Sequence, residues 1–417
     1  MIFVKSKITL FLLFIFTLVL TTNAKAFSSS DIAQNRVMKI SQTEILNERI
    51  LRIENSLSPQ SDEGESSNAK LTLRDRMEFY QTPGVSIAVV DRGKIDWARG
   101  YGVGKVDSDR AVDTDTLFQA ASISKPVTAM AVLELVQSGK LDLDDNVNQK
   151  LFSWKIPDSR FTETEAKKVT LRNLLSHSAS LTVHGFAGYS IDEEVPTTIQ
   201  ILNGEKPANS DEIKVDGELN NEFRYSGGGY VVIQQLLEDV TGKPFSTLMQ
   251  DVLNKVGMNN STFEQPLPKS QIAVAAAGHD DKGNTIEGNW HTYPEMAAAG
   301  LWTTASDLAR FIIEIQQSAS EKPDSFLNKE TVEEMLTPQV KGWGLGIELP
   351  EGESARFVHG GANEGFQCLL VGYKNTGQGA IVMTNSDRGL ALALEIINSI
   401  AQEYDWSDRL PNHKDTD

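Results

Sequence analysis

Phe118-Gln119-Ala120-Ala121-Ser122-Ile123-Ser124-Lys125 sets a serine and a lysine three residues apart, where a strand-like run passes into an apolar stretch. Positions three apart share one face of a helix, so a hydroxyl nucleophile meets an amine able to deprotonate it. The run from Ser122 to Ser138 reads as a helix stopped by Gly139. Val127, Met130, Ala131, Leu133, Leu135 and Val136 make its surface mostly apolar, which predicts a central, buried position.

Upstream of this helix, Val85 to Val90 and Ile95 to Val103 flank Asp91-Arg92-Gly93-Lys94 and read as a hairpin. Three more β-runs come only near the far end: Arg356 to His359, Gln367 to Tyr373 and Ala380 to Thr384. An amphipathic helix, Leu390 to Tyr404, follows them. The pattern predicts an α+β fold whose antiparallel sheet is assembled from both chain ends, flanked by helices, with a mostly helical subdomain inserted between. Helices are expected in that insert at Leu171–His177, Gly229–Thr241, Phe245–Val256 and Ala305–Gln317. Before the globular part, residues 27–70 read as a lead-in helix (Ile40 to Ile53) and a polar connector. The catalytic domain is expected over 71–405, with a tail at 406–417.

The first residues are basic at Lys5 and Lys7, apolar from Ile8 to Leu20, and close on Ala24-Lys25-Ala26. The apolar run is too short to span a bilayer, and the pattern is that of a secretory leader, residues 1–26, with an uncleaved anchor as the other reading. Export across an inner membrane to a periplasm is expected, with no stable membrane span after cleavage. Loss of Lys5, Lys7 and Lys25 with the leader takes the formal charge from −18 to −21. So acidic a protein is a poor partner for nucleic acid or anionic lipid. The single cysteine, Cys368, cannot form an internal bridge, and its apolar neighbours predict a buried strand residue.

Ser-x-x-Lys alone is a weak signal, since Ser67 and Lys70 repeat it in the polar connector. The copy at Ser122 is set apart by its surroundings. A serine at a helix start faces unpaired N–H groups and the positive end of the helix dipole, which favour a developing oxyanion. Lys125, if buried, has its charged form disfavoured. Two further segments join it. Phe223-Arg224-Tyr225-Ser226-Gly227-Gly228-Gly229-Tyr230 puts a tyrosine on a glycine-rich bend before a helix, where its phenol can shuttle a proton and Lys125 can lower its pKa. Phe357-Val358-His359-Gly360-Gly361-Ala362 is a strand ending in side-chain-free positions, against which a substrate can lie. A backbone N–H there, paired with that of Ser122, makes an oxyanion hole in which each donor is worth about 3 kcal/mol.

These three elements in this order resemble the serine β-lactamase and penicillin-binding superfamily, and most of all its class C β-lactamase, D-Ala-D-Ala carboxypeptidase and family VIII esterase branch. Supporting runs are Val169–His177, Asp239–Phe245 and Ala299–Ala309, and the likeness extends over residues 84–401. The resemblance implies a β-lactamase/transpeptidase-like α/β/α sandwich that uses neither metal nor cofactor. It also implies Ser122 as acylated nucleophile, Lys125 as its base, Tyr225 as the base that activates the deacylating water, His359-Gly360-Gly361 in place of Lys-Thr-Gly, and Ala362 as the second oxyanion donor.

Two departures shape the functional expectation. Tyr225-Ser226-Gly227 lacks the amide of Tyr-x-Asn, a lost hydrogen bond worth about 1 kcal/mol or more. His359 replaces a fixed cation by an imidazole mostly neutral at pH 7. Both favour an esterase or D-amino-acid peptidase over an efficient β-lactamase. The alternative is a peptidoglycan- or penicillin-binding protein on the same fold that no longer turns over. No Gly-x-Ser-x-Gly elbow, His-Glu-x-x-His or phosphate loop is present, and His177, His184, His279, His291 and His413 show no ligand spacing. The aromatic loop Asn289–Met296 reads equally as a cleft border or as packing.

Overall fold

Apart from Ser86 and Thr384, Val85–Val90 and Ala380–Thr384 are apolar throughout, the signature of strands covered on both faces. In the computed structural model, which describes residues 29–58, 71–163, 168–219, 222–352 and 355–407, they are the two innermost partners of the main sheet. The expected leader (1–26), the Ser67/Lys70 match and the end of the expected tail lie outside the described residues. The chain divides into two units, 1–50 and 51–417, and the sheet, the helical insert and the site lie in the second.

In chain order the elements begin with helices α1 (Ser29–Glu54) and α2 (Leu73–Phe79) and the hairpin β1 (Gly84–Asp91) and β2 (Lys94–Gly102). Next come β3 (Phe118–Gln119), α3 (Ser124–Gln137), α4 (Leu171–Leu175), α5 (Thr198–Asn203), α6 (Gly227–Thr241) and α7 (Phe245–Val256). The chain continues with α8 (Met296–Ala299), β4 (Trp302–Thr303), α9 (Ala305–Ala319) and α10 (Lys329–Met335). It closes with β5 (Arg356–Asn363), β6 (Phe366–Tyr373), β7 (Gly379–Thr384) and α11 (Gly389–Glu403).

The five-stranded sheet has the order β2-β1-β7-β6-β5, antiparallel throughout, so first and last segments meet at its centre. Helix α9 packs on β1, β2 and β7, and α11 on β6 and β7. The expected α+β sandwich with a helical insert is the observed fold. Within the insert α3 lies against α7 and α8, buried continuously from Ser124 to Leu133. Among the described residues no helix is long and apolar enough to cross a membrane.

Several expected helix bounds shift: the lead-in helix already begins at Ser29, α9 runs on to Ala319, α11 moves one residue toward the N-terminus, and three further shifts bear on the site. Helix α6 starts two residues early, because the Ser226 side chain accepts from Gly229 N–H and caps it. Helix α4 stops at Leu175, short of His177, whose φ of +58° leaves the helical region. Ser122 does not begin an α-helix. It lies in a 3₁₀ turn, Ala121–Ile123, that feeds α3 at Ser124.

Candidate active site

The turn that carries Ser122 is tied down on all sides. Ala120 N–H donates to Leu301 O (2.8 Å), Leu301 N–H donates to Ser124 Oγ (3.0 Å), and the Cys368 thiol donates to Ala120 O (3.1 Å). Asn363 Nδ2 reaches Gln119 Oε1 at 2.7 Å and Ala299 O at 3.1 Å, joining the end of β5 to β3. Ala121, just before the serine, has φ +46°, a left-handed conformation that non-glycine residues adopt at a cost of about 1–3 kcal/mol. Cys368 is buried, as its apolar neighbours predicted, and burial raises its thiol pKa.

Lys125 is buried, 2% exposed, and its amine reaches Ser122 Oγ at 3.0 Å and Ala298 O at 2.9 Å. Burial without a carboxylate partner brings its pKa down to about 7. In the neutral amine one N–H satisfies the Ala298 carbonyl, leaving the lone pair free to face the serine hydroxyl. Ser122 itself is only partly buried and so reachable by a substrate.

Tyr225 precedes the α6 cap. Its ring lies under the Lys125 amine, 4.9 Å from the centroid, with its phenol near enough to Ser122 for the hydroxyl to favour the ionised form. The expected lowering of its pKa by Lys125 does not occur. Burial pushes the phenol up, opposed only by the Ser122 hydroxyl, because an amine held near neutrality lends little charge. The family's amide position is Gly227, where a Cβ would stand 3.0 Å from both His184 O and the Phe186 ring. The segment around His184 fills the room an asparagine would need.

The glycine-ended strand is β5, an edge strand. Val358 exchanges N–H and C=O bonds with Glu348 (3.0 and 3.1 Å) on the side away from β6. Antiparallel pairing alternates, so Gly360 and Ala362 present their backbone groups on that same outer edge. Ala362 is exposed there. Gly361 faces the serine turn, and a Cβ on it would stand 2.4 Å from Ala120 O. His359, expected as a weak cation in place of lysine, does not reach the open edge. Its ring is 3% exposed, edge-on to Trp343 (5.5 Å), and burial next to Lys125 takes its pKa down to about 3. It carries no charge at pH 7.

The fold thus brings Ser122, Lys125, Tyr225 and the outer edge of β5 to one place, and covers the His359 ring. Two neighbours were given no site role by the sequence, although His177 closes one of the supporting runs. His177 stacks on Tyr225 (4.2 Å, 27°), and Trp343 stands within 5.1–5.8 Å of His177, Tyr225 and His359. The aromatic loop is largely packing: Tyr293 is buried, and Trp290 rests edge-on against buried Trp302. Among the described residues no group of three or more His, Cys, Asp or Glu is placed to hold a metal ion.

Comparison with known proteins places the chain by family and fold. Protein flp of Staphylococcus aureus (strain MW2) is 24% identical over 323 residues, 73% of this chain but only 59% of its own length. Unguisins hydrolase ungD of Aspergillus violaceofuscus is 23% identical over 263 residues, 57% of this chain and 43% of its own. Among solved structures, the octameric penicillin-binding protein homologue from Pyrococcus abyssi has the same fold, with a TM-score of 0.65 at 23% identity over 80% of this chain and 76% of that one. Residues 70–403 match the Beta-lactamase family, and the chain belongs to it.

Proposed function

We propose that the protein is an exported serine hydrolase, working in the periplasm, that cleaves an ester or amide through a covalent acyl-enzyme. The observation that carries this reading is the 3.0 Å contact between Ser122 Oγ and a buried lysine whose pKa lies near neutrality. Lys125 takes the hydroxyl proton as Oγ bonds to the carbonyl carbon, and the carbonyl electron pair moves onto its oxygen. The N–H groups of Ser122 and Ala362 hold that oxyanion. The C–O or C–N bond then breaks, and the leaving group takes the proton by way of Lys125 and Tyr225. Water repeats the sequence on the acyl-enzyme and restores Ser122.

With His359 neutral and covered, the cleft is left with the charge of Lys125, and about half of that is lost at pH 7. That favours neutral esters and amides, including peptides of D-amino acids, over substrates gripped by a carboxylate. The raised phenol pKa of Tyr225 favours a second reading, a binding protein that acylates and deacylates very slowly, because a phenol so hard to ionise is a weak base for water.

A fluorophosphonate probe is expected to label the protein at Ser122, and Ser122→Ala to abolish the label. Labelling that survives Ser122→Ala moves the nucleophile elsewhere. Side-by-side assay of p-nitrophenyl acetate, nitrocefin and a D-Ala-D-Ala peptide separates the two readings: steady turnover on any of them supports the hydrolase, and one stoichiometric burst supports the binding protein.

A further inference from the structure

We propose that His177 is the positioning residue for Tyr225, holding the phenol against Ser122 and Lys125 while taking no part in proton transfer. The inference rests on the acyl-enzyme reading above.

His177 grips the tripeptide around Tyr225 at three points. Its carbonyl accepts from Arg224 N–H (2.8 Å), its Nδ1 accepts from Ser226 N–H (3.1 Å), and its ring lies flat on the Tyr225 ring (4.2 Å, 27°). The residues before, at and after 225 are thereby fixed to one side chain and its own backbone. The bond from Ser226 determines the tautomer: Nδ1 is the acceptor, so the proton sits on Nε2. Nε2 is buried and has no hydrogen-bond partner among the described residues. An apolar residue would avoid that unpaired donor but would leave Ser226 N–H without its acceptor.

The backbone points the same way. His177 holds φ +58°, strain that persists only where the surroundings enforce it. The titratable groups around it are Lys125, His359, His184, Tyr225 and Tyr230, and a second positive charge here would be buried beside the lysine. Burial first, then those neighbours, hold His177 neutral, so it is a rigid clamp and not a base.

Two substitutions separate the parts of the clamp. His177→Phe keeps a ring to stack and removes the acceptor. His177→Asn keeps an acceptor near the Nδ1 position, tolerates the left-handed backbone and gives up the stack. Rates of p-nitrophenyl acetate hydrolysis are to be expressed per site titrated with the fluorophosphonate. His177→Phe is expected to lower kcat about 100-fold with KM unchanged, the loss typical of a misplaced reacting group. His177→Asn is expected to recover most of that loss. In a Tyr225→Phe background His177→Phe is expected to add no further loss, because its effect passes through the phenol.

Full kcat per titrated site in His177→Phe, or a loss undiminished in the Tyr225→Phe background, overturns the inference. A wild-type protein that the probe does not label, or a Tyr225→Phe variant with undiminished kcat, overturns the underlying reading instead. Histidine side-chain ¹⁵N spectra of the wild type supply a test that depends on no variant folding. They are expected to show His177 as the neutral Nε2–H tautomer from pH 5 to pH 9, and an imidazolium in that range also overturns the inference.

Discussion

Gly361 and Ala120 approach so closely that a Cβ on the glycine would stand 2.4 Å from the alanine's carbonyl oxygen. The same Cβ would meet Cys368 Sγ at 2.7 Å, so neither side has room to yield. Gly361→Ala is therefore expected to push β5 away from the Ser122 turn and separate the amides of Ser122 and Ala362. Loss of one oxyanion donor lowers kcat by about 100- to 1000-fold, and overpacking of this kind lowers stability by about 1–3 kcal/mol. Gly360 has nothing nearer than Cys368 O at 3.9 Å, so Gly360→Ala is expected to melt close to wild type. Equal denaturant midpoints for Gly361→Ala and Gly360→Ala would refute the close-approach argument.

Lys125 links rate and stability to pH in the same direction. Deprotonation of a base with a pKa of about 7 predicts that kcat/KM climbs with pH through that value and then levels. Between about 7 and 10.5 the unfolded lysine binds a proton that the folded one does not, so stability rises with pH across that window and is lowest below it. Lys125→Met removes the buried amine. It is expected to abolish labelling yet to melt higher than wild type at pH 6, with the gap closing toward pH 10. A lower melting temperature at pH 6 would contradict the burial penalty.

Glu295 gives the reverse case. It is fully buried at the start of α8, the turn whose Ala298 carbonyl holds Lys125, and burial lifts its pKa from 4.5 to about 8. A carboxyl with a raised folded-state pKa leaves stability intact below 4.5 and lowers it progressively up to about 8. Glu295→Gln mimics the protonated form, so its melting temperature is expected to match wild type at pH 4.5 and exceed it at pH 8.5. The comparison is a pair of calorimetric scans, and an equal gain at both values would mean the carboxyl is not titrating.

Much of this architecture is legible in the sequence because it is local. The 85–90 and 380–384 runs declare two-faced burial by composition, and Ser122 and Lys125 sit at a spacing that any helical turn brings together. The rest depends on contacts between distant segments. His177 meets Tyr225 across 48 positions with no periodic pattern to announce it, and its left-handed φ was hidden inside what read as a helix. Trp343 lies in a stretch of isolated bridges, to Val340 and Glu348, and the bond between Glu348 and Val358 fixes where the free edge of β5 begins. The neutrality of His359 was half visible: residue type predicted a weak cation, and only burial removed the charge altogether.

Trp343 decides that last point and yields the prediction most specific to this chain. Its indole stands edge-on to His359 at 5.5 Å and closes the space between that ring, His177 and Tyr225. Trp343→Ala opens the imidazole to water, which weakens the desolvation that takes its pKa down to about 3. His359 is then expected to titrate near its ordinary value of 6.5, seen as a new protonation step in the histidine ¹⁵N spectrum. Below that pH a cation stands on β5, at the position that the resemblance matches to the lysine of Lys-Thr-Gly. The variant's rate on p-nitrophenyl hydrogen succinate relative to p-nitrophenyl acetate should therefore rise at pH 5.5 compared with wild type, and not at pH 8. The two esters differ in a carboxylate, so a ratio that rises equally at both values would trace the change to the enlarged cavity, and one that stays flat while His359 titrates would place the new charge out of the substrate's reach.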